Sequence, residues 1–234
     1  MHARIGWSLL LAATLPLLLI GCGERTVAKS KAKAPTKPAK LVQTVKPQPA
    51  VSPTAFSTVA EALDAVETMS TSGNASSQEL MTIERWLELQ GQQAAPALSA
   101  ALSDSEQHLA VRITACRALS KLGPPAKSPL LEATSAKPRQ LRLKATECLG
   151  RIQPTDAAIV TKLVALMQDE DFDQRKAALT ALANIGPSAS KADPKLPEKL
   201  GALLNDPKED ETIRGLAKTA LKKVDPRTGL QNAH

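Results

Sequence analysis

The chain has 234 residues, of which 43% are hydrophobic and only 2% aromatic, and it carries a formal net charge of +7. The excess charge lies before residue 56, since residues 56–234 contain 22 basic and 22 acidic side chains. Net charge therefore gives no indication of nucleic-acid binding. The scarcity of aromatic rings argues against stacking sites for carbohydrate or single-stranded nucleic acid.

The first 21 residues have the pattern of a signal peptide. A short segment with Arg4 precedes an uncharged apolar run, residues 5–20, that is short for a membrane span and ends at Gly21-Cys22. A small residue before a cysteine at this place resembles the lipobox of bacterial lipoproteins. The resemblance implies cleavage after Gly21 and a lipid on Cys22, which would anchor the chain in the cell envelope. A secretory signal cut later and an uncleaved anchor helix are the alternatives.

The residue after Cys22 is Gly23. By resemblance to the enterobacterial sorting rule, a residue other than aspartate at this position favours the outer membrane over the inner one. Residues 22–55 are predicted to be a disordered tether, because they contain five prolines, seven basic residues and one acid but few large apolar residues. Such a tether could reach on the order of 100 Å if extended.

Residues 56–92 are predicted to form a divergent capping pair of helices. Apolar side chains recur at helical spacing over 56–69 and again over 76–89, and Ser72-Gly73-Asn74 has the composition of a turn between them. Trp86 is expected to pack within this cap. A terminal unit of a repeat array is normally atypical because it closes the stack.

A 13-residue window then occurs four times, beginning at Val111, Leu141, Gln174 and Ile213. We number its positions 1 to 13. Positions 5, 8, 9 and 12 are apolar in every copy, which is one stripe of an α-helix, and position 8 is always small. Position 2 is always arginine: Arg112, Arg142, Arg175 and Arg214.

A second apolar helical segment precedes each window. The segments are residues 96–102, 128–134, 156–167 and 194–204, and the windows start 30, 33 and 39 residues apart. One helix pair of this size cannot bury its apolar stripe alone, so neighbouring pairs must stack. The sequence thus predicts an all-α, right-handed α-solenoid of about five antiparallel helix pairs, with four repeats over 93–226 and a frayed end at 227–234.

These repeats resemble the HEAT family, in particular the HEAT-like repeats of phycobilisome lyases. The residues that carry the resemblance are a turn aspartate before three of the arginines, the Ala-x-x-Ala-Leu-x-x-Ile core, and the Leu122-Gly123-Pro124 and Ile185-Gly186-Pro187 exits. The three turns are Asp104 with Arg112, Asp169 with Arg175 and Asp206 with Arg214. The resemblance implies that the second helices line the concave side of the solenoid. It indicates architecture and says almost nothing about activity.

No catalytic or metal site is predicted. His108 is the one histidine between the predicted signal and the C-terminus, and at the entry to a helix it is expected to cap or to contact solvent. Carboxylates such as Asp171 and Asp210 precede repeat helices, where they are expected to stabilise the helix N-terminus and hold the position-2 arginines rather than bind calcium.

Cys116 and Cys148 occupy different window positions, 6 and 8, of adjacent predicted helices. Facing β-carbons are therefore not expected, and a disulfide is disfavoured even though an envelope compartment is oxidising. Cys148 is expected in the core. Cys116 aligns with a variable position that could be exposed.

The four windows together carry a net charge of +10. If acidic turns hold the position-2 arginines, about six cations are left along the second helices. We hypothesise that they receive an acidic segment of a partner protein. The alternative is that these cations merely sit opposite the acidic turns and near the negative ends of the helix dipoles. The cations expected to contact this segment are Arg117, Lys121, Lys144, Lys176, Lys218 and Lys222.

Three functions are compatible with this reading of the sequence. The first is a non-catalytic protein-binding scaffold of the bacterial cell envelope, held by a lipid anchor, with no cofactor, metal, nucleic acid or small-molecule substrate. The second, which the family resemblance implies, is a lyase-like enzyme or chaperone, although no repeat supplies a convincing His, Tyr or paired-Glu site. The third is a mechanical spacer between membrane and wall.

Overall fold

The computed structural model describes residues 56–227, and the predicted signal peptide, lipidation site, tether and frayed C-terminus lie outside these residues. Every regular element in the described range is helical. Two 3₁₀ turns, Gly91–Ala94 and Pro124–Ala126, accompany the α-helices. The α-helices of this range are α1 (Val59–Thr71), α2 (Ser77–Leu89), α3 (Ala95–Ser103), α4 (Leu109–Leu122), α5 (Lys127–Ala133), α6 (Arg139–Leu149), α7 (Ala157–Leu166), α8 (Phe172–Ile185), α9 (Pro187–Ala192), α10 (Leu196–Asn205) and α11 (Glu211–Val224).

The helices pair along the chain and the pairs stack. Helices α1 and α2, α3 and α4, α5 and α6, α7 and α8, and α10 and α11 pack as pairs, while α2, α4, α6, α8 and α11 pack on one another in this order. This arrangement confirms the predicted α-solenoid of five helix pairs. We call α2, α4, α6, α8 and α11 the second helices. Within the described residues, no helix is both long and apolar enough to cross a bilayer.

The last pair contains the short helix α9, which the sequence did not predict. It begins with Pro187 after Gly186, whose φ of +66° ends α8, and it packs against α7, α8, α10 and α11. Ser190 donates a hydrogen bond to the Val224 carbonyl at 2.7 Å. This extra helix accounts for the long step of 39 residues between the last two windows.

The core follows the repeated positions of the window. The alanines at position 5 are 0% exposed in all four copies, and the small residues at position 8 are at most 2% exposed. Trp86 occupies the equivalent of position 8 in α2, where no earlier repeat covers it within residues 56–227. Phe56 packs on it edge to face, with ring centroids 5.4 Å apart, and so closes the first end of the described stack.

The second helices α6 and α8 are in close contact at Gly150, which is position 10 of its window. A β-carbon built on Gly150 would lie 2.6 Å from the α-carbon of Ala181, which is position 8 of the next window. The backbone of Gly150 is in the right-handed helical region, so alanine would be strained there by contact alone. Gly150 has no side chain and Ala181 has only a methyl group, and these two small residues thus set the spacing between α6 and α8.

We expect Gly150→Ala to lower the free energy of unfolding by about 1–3 kcal/mol, because the added methyl group has no space. Urea denaturation followed by circular dichroism measures the change. The matched control is Gly215→Ala, within α11, where a β-carbon would meet nothing within 4 Å. That change should raise stability by up to about 1 kcal/mol through helix propensity. Equal effects of the two substitutions would contradict close packing at Gly150.

Candidate functional site: grooves along the second helices

Two grooves run between consecutive second helices. One, of about 440 Å³, lies between α6 and α8 and is lined by Leu143, Glu147, Lys176 and Thr180, among others. The other, of about 320 Å³, lies between α2 and α4 and is lined by Met81, Arg85, Arg117 and Lys121, among others. Arg151 lines both grooves. The two grooves therefore meet at this arginine and form one surface across four second helices.

Window positions 3, 7 and 11 contribute most of this surface, with Glu84 and Glu88 of α2 added to them. In α6 they are Leu143, Glu147 and Arg151, all of which line the groove towards α8. Positions 6 and 10 instead face the next repeat. Gln174 donates a hydrogen bond to Thr146, at position 6 of the preceding window, at 2.7 Å, and both residues are buried. The helical period thus separates groove positions from packing positions.

Most charges along the grooves are already paired. Arg117 donates to Glu84 at 2.8 Å, and Lys176 pairs with Asp173 at 3.3 Å while its ammonium group lies 5.3 Å from the centre of the Phe172 ring. Lys144 pairs with Glu147 within α6. Arg85 pairs with Glu88, 3.4 Å away, within α2. Every carboxylate that lines the two grooves therefore has a cationic partner within the described chain.

Lys121 and Arg151 differ from these residues. Both side chains are exposed, and neither has an ion-pair partner among residues 56–227. They occupy position 11, at the end of α4 and just beyond the end of α6, where a cation also interacts favourably with the helix dipole. The surface therefore presents two unpaired positive charges next to neutralised carboxylates.

The structure divides the six cations of the partner-binding hypothesis into three groups. Arg117, Lys121 and Lys176 line the grooves. Lys144 is half-buried and pairs with Glu147. Lys218 and Lys222 are exposed on α11, at positions 6 and 10, where the earlier windows bury side chains against the next repeat. These last two lysines therefore lie on the final face of the described stack and not in a groove.

Sequence reasoning did not include Arg151 in this site. The signal that could have found it is window position 11, where Lys121, Arg151 and Lys223 are cationic and Asn184 is polar. The helical stripe identifies apolar positions 5, 8, 9 and 12. It does not show which of the remaining positions face a groove, because that depends on how neighbouring helices stack.

The position-2 arginines bind backbone carbonyl groups. Arg112 donates to the Leu102 carbonyl at 3.0 Å, Arg142 to the carbonyls of Ala136 and Lys137, and Arg175 to those of Asp169 and Glu170. These carbonyls end the first helix of the same repeat, or follow it. The arginine thus ties the turn between the two helices to the start of the second one.

The carboxylates that reach these arginines come from the next repeat, which corrects the expected pairing of Asp104, Asp169 and Asp206 with arginine in their own repeats. Arg142 lies 3.8 Å from Asp171, and Arg175 donates to Glu209 at 3.2 Å. The turn aspartates instead accept backbone N–H groups two residues ahead, each at 2.9 Å. Their carboxylates close the turn and do not reach the arginine.

The Nε atoms of Arg175 and Arg214 are both buried without a hydrogen-bond partner in the described residues. Arg175 is nevertheless held through its terminal nitrogens by the carbonyls of Asp169 and Glu170 and by the Glu209 carboxylate. Arg214 lies in α11, the last helix of the described stack, and no carboxylate among residues 56–227 reaches it as Asp171 and Glu209 reach Arg142 and Arg175.

Asp171 connects two repeats and begins a helix. Its carboxylate accepts the N–H of Asp173 at 3.0 Å as the N-cap of α8 and two hydrogen bonds from Arg139 of α6 at 2.7 Å. The Arg139 guanidinium, followed by the backbone N–H groups of α8, lowers the pKa of Asp171. Asp210 is likewise the N-cap of α11, as expected, and His108 Nδ1 accepts the N–H of Ala110 at 3.3 Å.

We expect Asp171→Asn to lower the urea midpoint by about 0.3 M at pH 6, because asparagine retains the helix cap but loses the ion pair. The pKa of Asp171 is lower in the folded state than its ordinary value of about 3.9. The ion pair therefore stabilises fully above that ordinary value, and its contribution is lost as the pH falls through the folded-state pKa. Urea titrations from pH 6 downwards should show a difference that is largest at pH 6 and shrinks as the carboxylate becomes protonated.

The two cysteines meet between α4 and α6, contrary to the expectation from their window positions. Cys116 is 0% exposed and lies in hydrogen-bonding contact with Cys148, and both are free thiols. This contact and burial raise the pKa of the Cys116 thiol. The expectation of an exposed Cys116 was wrong because position 6 faces position 8 of the next window.

Comparison with known proteins agrees with this architecture. A family model described as HEAT repeats matches residues 128–222, which include α6 to α10 and most of α5 and α11. No curated protein matches the chain significantly. The family match therefore covers the last three of the four repeats and leaves the rest of the chain unassigned.

Several solved structures are similar in fold. The complex of CpcE and CpcF of phycocyanin lyase from Nostoc sp. PCC7120 contains a chain that is 17% identical, with a TM-score of 0.57, over 69% of this chain and 96% of that one. A computationally designed armadillo repeat protein for modular peptide recognition is 18% identical, with a TM-score of 0.47, over 73% and 78% of the two chains. At 17% identity the likeness to the phycocyanin lyase chain supports the helical-repeat fold and no particular activity.

Proposed function

We propose that the chain is a non-catalytic, lipid-anchored scaffold of the bacterial cell envelope that binds a partner protein along its second helices. The observation that carries this proposal is the groove surface from α2 to α8, where every lining carboxylate is paired and Lys121 and Arg151 are not. Such a surface attracts a ligand of negative charge. An acidic segment of a partner protein, predicted from the sequence, is the ligand that fits it.

The repeats also favour binding over chemistry. Stacked helix pairs provide an extended surface, and the carboxylates along the grooves are committed to ion pairs within one helix or between neighbouring helices. The lyase-like alternative is supported only by a fold shared with a subunit of a phycocyanin lyase complex. If it holds, the purified protein should retain a coloured tetrapyrrole that is visible in its absorption spectrum.

A photo-crosslinking amino acid at position 180 tests partner binding. Thr180 is exposed and lines the groove between α6 and α8, whereas Ala100, the control position, is exposed on the first helix α3. After illumination of living cells, we expect position 180 to give one discrete protein adduct, identified by mass spectrometry, and position 100 to give none. Adducts with wall fragments would favour the spacer, and no adduct from position 180 would reject the scaffold.

The proposed lipid anchor is tested at Cys22. The Cys22→Ser variant should lose incorporation of an alkyne-labelled fatty acid and move from the membrane fraction to the soluble one, because serine cannot form the thioether of a lipoprotein. Cys116→Ala is the matched control, since Cys116 is buried in the repeats and should not affect labelling. Retention of label in the Cys22→Ser variant would contradict the lipoprotein assignment.

A further inference from the structure

The side chains along the second helices change in chemistry from α2 to α11, and this change indicates what the groove surface binds. The core residues Ile83 and Leu87 place α2 in register with positions 5 and 9 of the windows. Position 3 is then Met81 in α2, Ile113 in α4 and Leu143 in α6, but Lys176 in α8 and Gly215 in α11. Of these residues, Met81 and Leu143 line the grooves, and Ile113 holds the same window position on α4 between them, half-buried against the core. From α8 onwards the position is no longer apolar.

Two of the apolar residues are unusually accessible. Met81 is 63% exposed and Leu89, at position 11 of α2, is 68% exposed, which makes them the most exposed large hydrophobic side chains of the described residues. Methionine and arginine are both enriched in protein interfaces, and a methionine adapts its shape to different partners. The described fold gives neither Met81 nor Leu89 an intramolecular packing role.

The unpaired cations lie on this same half. Lys121 ends α4 and Arg151 follows α6, so both border the apolar row, and Arg151 joins the two grooves. The cations that line the groove from α8, or that pair beside it, are already bound to carboxylates. Accessible apolar area and free positive charge therefore coincide between α2 and α6.

We propose that this half of the surface, formed by Met81, Leu89, Ile113, Leu143, Lys121 and Arg151, binds a partner segment that carries carboxylates beside apolar side chains. The proposal rests on the scaffold function and specifies the partner's chemistry. A polyphosphate such as RNA fits less well, because Glu84, Glu88 and Glu147 border the same surface. The residues before 56 do not fit, since their charge is strongly positive.

Fluorescence anisotropy with labelled 12-residue peptides tests the proposal on the full mature chain. The probe alternates Glu-Glu with Leu-Leu, a second peptide replaces leucine with serine, and a third replaces glutamate with lysine. We expect binding of the first peptide at least about tenfold tighter than of either other peptide. Equal binding of the serine peptide would overturn the apolar part of the proposal, and equal binding of the lysine peptide would overturn the electrostatic part.

Two double variants locate the site. Lys121→Glu with Arg151→Glu should weaken binding of the Glu-Leu peptide about 10- to 100-fold, and Met81→Ser with Leu89→Ser about tenfold or more. The matched control, Lys218→Glu with Lys222→Glu, makes the same charge change on the last face of the stack and should leave binding unchanged. All these side chains except Arg151 are in helices and every one is exposed, so circular dichroism should verify that each variant folds normally.

The outcomes separate this inference from the scaffold function. Equal loss of binding in the control variant, or none in the Lys121/Arg151 variant, would overturn this site. Tighter binding of a single-stranded RNA or of phosphatidylglycerol vesicles than of the Glu-Leu peptide would overturn the ligand class. A crosslinked partner at position 180 that survives the Lys121/Arg151 change would leave the scaffold intact and reject only the further inference.

Discussion

The close contact of successive second helices is the constraint on which the structure depends. A small residue at window position 8 faces positions 6 and 10 of the preceding helix, and at Gly150 even a methyl group would collide with Ala181. Helices that approach this closely bury their alanine and leucine stripe almost completely. Each repeat is therefore stabilised by its neighbours, and the ends need special residues: Trp86 with Phe56 at one end and exposed lysines at the other.

The same stacking decides which side chains are available for binding. Positions 6 and 10 are buried in the internal repeats, so Cys116 and Thr146 belong to the core, although they resemble surface positions in the sequence. Positions 3, 7 and 11 remain open and form the grooves. Lys218 and Arg117 are equally cationic in the sequence, but one lies on an end face and the other lines a groove beside Glu84.

Hydrogen bonds and ion pairs within and between repeats fix this arrangement. Arginines at position 2 satisfy the carbonyl groups of the turns, and carboxylates of the following repeat, such as Asp171 and Glu209, reach back to them. Asp171 also caps its own helix, so the same group that starts α8 connects α8 to α6. Because most cations that line the grooves are paired within the described stack, the two that are not, Lys121 and Arg151, are informative about a ligand.

The sequence by itself determined the helical class, the number of repeats and nearly all of the core, because a 3.6-residue stripe repeated four times leaves few alternatives. It also located Asp171 and Asp210 at helix starts. Only the tertiary structure decided that α9 exists, that Cys116 meets Cys148, that turn aspartates do not hold their own arginines, and that Arg151 lies in the groove. Periodicity specifies which face of a helix is buried, whereas the neighbour of each remaining face is set by the packing of separate repeats.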